Sequence, residues 1–288
     1  MAIVKKRMPT GARVPGKISA VAGTDAPVLE LPLERSKPLP DLADYAVLLF
    51  GAKKIGKTTL VSCFDQVLFL MSEPGGKGLS IYQRPVTSWD EFRGYVKLLV
   101  RDTRFKGVCV DTVDLVFKQC EAWVCRKLGI SHPSDEEWGK GWGAVKDEFT
   151  REVQKLLSCG KGVFFISHST EREIKSRDGR KYDRIQPTMS GQARDVIEGF
   201  VDLWAYYDYE GGRRVLTIRG NDEVMAGCRL RDRFMWKDRE VTQIDMGTSV
   251  EEGHTNFIQC FNNQYNPIIA KDEAPVVPTT SGFKLKKR

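Results

Sequence analysis

The sequence predicts an α/β fold, a mainly parallel sheet flanked by helices, and three observations carry that prediction. Apolar runs at residues 45–50, 67–72, 105–111 and 161–167 read as strands buried on both faces. Helical patterns lie between most of them, which implies right-handed β-α-β units and parallel pairing. Gly51-Ala52-Lys53-Lys54-Ile55-Gly56-Lys57-Thr58 follows the first run and opens a helical stretch. It matches G-x-x-x-x-G-K-[ST], the phosphate-binding loop, in the strand–loop–helix context which that loop needs.

Taken in order, the elements have local causes. Residues 1–44 are rich in Pro, Gly and charge, lack periodicity, and read as a flexible basic arm. The core is expected from Tyr45 to residue 265, with a basic tail at 266–288. The second apolar run is broken by Glu73-Pro74-Gly75-Gly76. Ser88 followed by Glu91 marks a capped helix start, with Phe92, Tyr95, Val96 and Leu99 as its apolar stripe. A helix is expected over 113–128, a Gly/Trp-rich loop over 129–141, and another helix over 142–157. Asp178-Gly179 reads as a two-residue hairpin turn. The runs 201–209 and 213–218 flank Glu210-Gly211-Gly212, an antiparallel hairpin at the sheet edge.

Composition bounds the function. With 288 residues and 41% hydrophobic residues, the chain can bury one substantial core. No apolar run approaches a membrane span and no cleavable signal begins the chain. Seven cysteines form no C-x-x-C pair and only three histidines accompany them, so neither a zinc site nor a disulfide framework is expected. A reducing cytoplasm is the expected setting. The net charge of +7 is concentrated at the ends, in Lys5, Lys6, Arg7, Arg13 and Lys17 and again in 284–288. Such arms hold polyanions by counterion release or simply solubilise the chain; composition leaves both readings open.

The loop assigns chemical roles. Gly51 and Gly56 let the backbone turn so that the N–H groups of Ala52, Lys53, Lys54, Ile55 and Thr59 and their neighbours point at phosphate oxygens. Lys57 is expected to reach the β- and γ-phosphates of ATP, and the Thr58 hydroxyl to coordinate Mg²⁺. Asp111, ending an apolar strand some fifty residues later, is the expected second metal anchor; the alternative is a carboxylate capping the next helix. Asp114 is expected to cap that helix or face solvent. Thr112, not glutamate, follows Asp111, so the residue orienting the attacking water must come from elsewhere. Glu73, ending the strand after the loop helix, is the candidate.

These motifs, with Val110-Asp111-Thr112-Val113-Asp114 and Phe165-Ile166-Ser167-His168, resemble those of RecA-type P-loop NTPases over roughly residues 45–235. The stretch from Pro85 to Phe92 narrows the resemblance to compact, phage-encoded RecA-like ATPases of AAA type, some of which anneal or recombine single-stranded DNA. The resemblance implies that His168, in the place of an amide in RecA, senses the γ-phosphate. It also implies a DNA-binding segment at 171–184, with Arg172, Lys175, Arg177, Arg180, Lys181 and Arg184. A second loop would fall at 129–141, where Trp138, with Trp142 just beyond, would stack on bases. Ring or filament assembly is implied, with an arginine from the neighbouring subunit at the γ-phosphate. Arg194, Arg229 and Arg231 are the candidates, Arg229 first. Implied partners are single-stranded DNA, further copies of the chain and a single-strand-binding protein. Two rivals stay open: a regulatory ATPase acting on protein partners without DNA, and a nucleotide kinase.

Overall fold

The structure is a computed structural model that describes residues 31–266 apart from Arg177. Most of the predicted arm and tail, at 1–30 and 267–288, lies outside those residues. Residues 31–38 belong to a separate unit, and the compact unit begins at Leu39. That start precedes Tyr45 because Leu42, in a short 3-10 turn (Leu42–Asp44), is fully buried.

The first half of the chain forms β1 (Ala46–Gly51), α1 (Lys57–Val61), β2 (Val67–Met71), β3 (Tyr82–Pro85), α2 (Trp89–Leu99), β4 (Gly107–Asp111), α3 (Val113–Leu128) and α4 (Lys140–Leu157). Next come β5 (Gly162–Lys175), β6 (Lys181–Pro187), α5 (Gly191–Phe200), β7 (Leu203–Glu210), β8 (Arg213–Thr217) and β9 (Gly227–Cys228). The short strands β10 (Met235–Trp236), β11 (Arg239–Glu240) and β12 (Gln243–Asp245) precede α6 (Val250–Phe261).

The main sheet has the order β12-β8-β7-β1-β5-β4-β2-β3, with β6 paired to β5 and β9 to β7. Strands from β7 to β3 along this order pair in parallel, whereas β8 and β12 continue antiparallel. The predicted fold class, mainly parallel with helices on the faces and an antiparallel edge, is the observed one. Period-two alternation divides the core. Leu48 and Phe50 face a cluster with Phe92, Phe117, Phe149 and Ile197 of α2 to α5. Val47 and Leu49 face another with Leu60, Val61, Phe257 and Phe261 of α1 and α6.

Register decides where chemistry is possible. Gly51 is level with His168 on β5, Asp111 with Ile166, and Met71 with Asp111. The C-terminal strand ends therefore meet at one edge, where ligands of open α/β sheets bind. Two expectations need correction. The strand expected over 161–167 does not stop at Ser167 but continues to Lys175, because Ser169–Lys175 finds an antiparallel partner in β6. The hairpin turn is longer than Asp178-Gly179: Ser176 N–H donates to the Arg180 carbonyl, and Gly179 takes φ 88° between them. The turn of β7 and β8 is one residue shorter than the expected Glu210-Gly211-Gly212: Glu210 pairs with Arg213, and Gly211 and Gly212 turn at positive φ.

Candidate active site

The loop between β1 and α1 has the backbone its glycines were predicted to allow. A side chain at Gly51 would collide with the Tyr207 carbonyl of β7, and Gly56 sits at φ 108°, a region costly for any other residue. Lys57 is buried, and its Nζ donates to the Gly51 and Ala52 carbonyls at 2.9 and 2.8 Å. The ammonium is thus folded back over its own loop, among acceptors that a phosphate would replace. Burial lowers its pKa to about 8, against the opposing pull of Asp111, Asp114 and Glu73.

The Thr58 hydroxyl donates to Asp111 Oδ2 at 2.7 Å. Burial raises the Asp111 carboxyl above its usual range, opposed first by that hydrogen bond and then by Lys57. A hydroxyl and a buried carboxylate so close, beside an anion-binding loop, form an oxygen donor set suited to a hard divalent cation such as Mg²⁺. The residues present fit the nucleotide and its metal. A cavity of about 350 Å³ lies here, lined by Lys54, Lys57, Thr58, Glu73, Asp111 and His168 among others.

Glu73, two residues past the end of β2 and so not the strand's last residue as expected, and His168 of β5 meet at this cavity. His168 Nε2 lies 3.3 and 3.4 Å from the two Glu73 oxygens, and the Thr112 hydroxyl donates to Glu73 Oε1 at 3.1 Å. Ser72 fixes Thr112 in turn, accepting its N–H and donating to its carbonyl. Asp114 neither caps α3, whose N-cap is Thr112, nor faces solvent alone. It accepts hydrogen bonds from Ser167 of β5 at 3.1 Å and Thr188, just past β6, at 2.6 Å. Sequence reasoning missed this clasp, since no motif links positions so far apart. Arg214 was missed too. From β8 it donates to the Ile55 carbonyl at 3.1 Å and braces the loop from behind.

A family model described as an AAA domain matches residues 43–230. The chain belongs to this family. It is a P-loop ATPase. Over 137 residues this AAA domain is 27% identical to the SPbeta prophage-derived uncharacterized protein YorG of Bacillus subtilis (strain 168), covering 45% of this chain and 42% of that protein. The match thus spans less than half the length of that curated relative. Among solved structures, the KaiC-like protein PH0186 from Pyrococcus horikoshii OT3 aligns with a TM-score of 0.39 and 14% identity, over 63% of this chain and 81% of that one. The RadB recombinase aligns at 0.37 and 15%, over 63% and 83%. The fold assignment rests on strand order and register, not on these loose superpositions.

The remaining candidates lie away from the cavity. Arg229 donates to the Glu198 and Gly199 carbonyls at the end of α5, and Arg194 to Gln186. Arg231 is exposed. On the hairpin, Arg180 is paired with Asp178 and Lys181 with Glu173. Arg172 and Lys175 are exposed, Arg184 is half-buried, and Arg177 falls outside the described residues. The 129–141 segment contains two 3-10 turns, Pro133–Asp135 and Glu137–Gly139. Trp142 is engaged there, donating to Ser134, whereas Trp138 is 91% exposed. The D-R-[YFH] pattern with which kinases grip a nucleoside monophosphate occurs at Asp232-Arg233-Phe234. There it is structural: Phe234 is core, and Arg233 covers the Phe261 ring and donates to the Leu39 carbonyl.

Proposed function

We propose that this AAA domain is an ATP-dependent single-stranded-DNA-binding protein of RecA-like type, acting in phage DNA recombination, annealing or replication. One observation carries the reading: β5 runs unbroken from the nucleotide cavity, where His168 meets Glu73, into the basic hairpin it forms with β6. A change at the γ-phosphate and a change in the hairpin are therefore changes in one strand. The prophage-derived description of the Bacillus relative supports the phage setting.

In this reading Lys57 and the loop N–H groups hold the phosphates, and Thr58 and Asp111 hold Mg²⁺. The metal neutralises charge developing on the phosphoryl oxygens. Glu73 orients the attacking water, held by Thr112 and His168, and His168 passes the state of the γ-phosphate to β5. Trp138 and the hairpin contact DNA, and a homo-oligomer supplies a basic residue in trans, with Arg229 as first candidate once it leaves the α5 carbonyls. A single-strand-binding protein is a further partner.

The test is binding of a fluorescent oligothymidylate with MgATP, with MgADP and without nucleotide. At least a fivefold difference in affinity between nucleotide states is expected. Equal affinities in all three would sever the link between site and hairpin.

A further inference from the structure

The β5–β6 hairpin segment carries six basic residues, Arg172, Lys175, Arg177, Arg180, Lys181 and Arg184, diluted by Glu171, Glu173, Asp178 and Asp183. The ladder sorts this mixture. Arg172 pairs with Arg184, Ile174 with Tyr182 and Thr170 with Gln186. Directly opposed residues, and those two positions along, share a face. Arg172, Arg184 and Tyr182 therefore lie together, on a side to which neither strand contributes a carboxylate. Arg194 of α5 joins that side through its hydrogen bond to Gln186. Glu171, Glu173 and Asp183 occupy the opposite side with Lys175 and Lys181, and Lys181 is already neutralised by Glu173 at 2.8 Å.

Arg172 is exposed and makes no ion pair among the described residues. At the foot of the same side Arg184 lines a cavity of about 440 Å³ with Trp204, Arg229 and two acidic residues of other elements, Glu198 and Asp202. Arg184 Nε and the indole N–H of Trp204, itself 5% exposed, have no hydrogen-bond acceptor among the described residues. Arg184 Nη2 donates to the Asn221 carbonyl at 3.4 Å, which leaves its Nε unmatched beside the exposed Arg172, an arrangement suited to a ligand that brings acceptors.

We propose that the Arg172–Tyr182–Arg184 side, and not the hairpin as a whole, holds single-stranded nucleic acid. Arg172 and the exposed part of Arg184 engage backbone phosphates, and Tyr182 offers its ring to a base. The acidic side repels the strand and so fixes which way the hairpin faces it. This rests on the single-stranded-DNA reading above and narrows it to one side.

The experiment uses the full chain with MgATP and a fluorescent oligothymidylate, titrated over a range of salt. Arg172→Ala combined with Tyr182→Ala is expected to weaken binding at least tenfold and to flatten the log–log salt slope by about 0.7. Lys175→Ala combined with Lys181→Ala is expected to stay within about threefold, with the slope unchanged. Circular dichroism spectra and thermal unfolding midpoints equal to those of the unmodified chain verify that both variants fold. Equal losses from the two pairs would overturn the choice of side while leaving the hairpin as the DNA element. An unmodified chain that fails to bind oligothymidylate would overturn the single-stranded-DNA reading and this inference with it.

Discussion

Lys57 shows how a local motif becomes a titratable device. Its pKa is about 8 in the fold against 10.5 as the ordinary value. Between those values the unfolded chain binds more protons, so the residue's contribution to stability rises with pH; below about 8 the full cost of burying the ammonium is borne. A bound phosphate needs the charged form, so nucleotide binding couples to a proton in the same window. MgADP affinity is expected to fall about tenfold between pH 7 and 9, the effect of deprotonating a group of that pKa. Calorimetry across that range checks it, and Lys57→Ala should bind weakly with a flat profile. A flat profile in the unmodified chain would contradict the role of Lys57. At this scale the meeting of the loop, Thr58 and Asp111 was legible because each position follows from contiguous residues or from the end of an apolar strand. The Asp114 clasp and the Arg214 brace were not: both depend on which strands become neighbours, which no local pattern states.

The elements on one face of the sheet are joined by aromatic packing. Phe149 of α4 lies 5.0 Å from Phe117 of α3 and 6.0 Å from Trp89 of α2, ring centre to ring centre, and is fully buried. Phe149→Ala therefore loosens three helices at once and is expected to cost about 3–5 kcal/mol. Trp138→Ala, at an exposed position, is expected to change stability by less than about 0.5 kcal/mol. Denaturant unfolding of both variants checks the contrast, and similar losses would contradict the packing described. Helix α2 was readable from capping and periodicity, because Ser88 accepts the Glu91 N–H and Phe92, Val96 and Leu99 of the stripe are buried. Strand β3 was not, being four exposed residues with a proline, which suits the sheet edge it occupies. The length of β5 was hidden for a related reason. Past Ser167 its residues are polar apart from Ile174, and from Ser169 onward the β6 ladder pairs them.

At the scale of the molecule, β5 lies between the strand that carries the phosphate loop and the strand that ends in Asp111. That order lets one strand touch the nucleotide cavity and still extend beyond the sheet. The fold class was legible because buried runs alternate with helices; the connection between cavity and hairpin emerged only from the register. Family membership makes the chain a P-loop ATPase, and coupling of that ATPase to DNA is the central claim. The most direct test is steady-state ATP hydrolysis with and without single-stranded DNA, at low and moderate salt. The account predicts stimulation by DNA that fades as salt rises, since backbone contacts are screened by counterions. Turnover indifferent to DNA at both salts would contradict it and leave an ATPase regulated by protein partners.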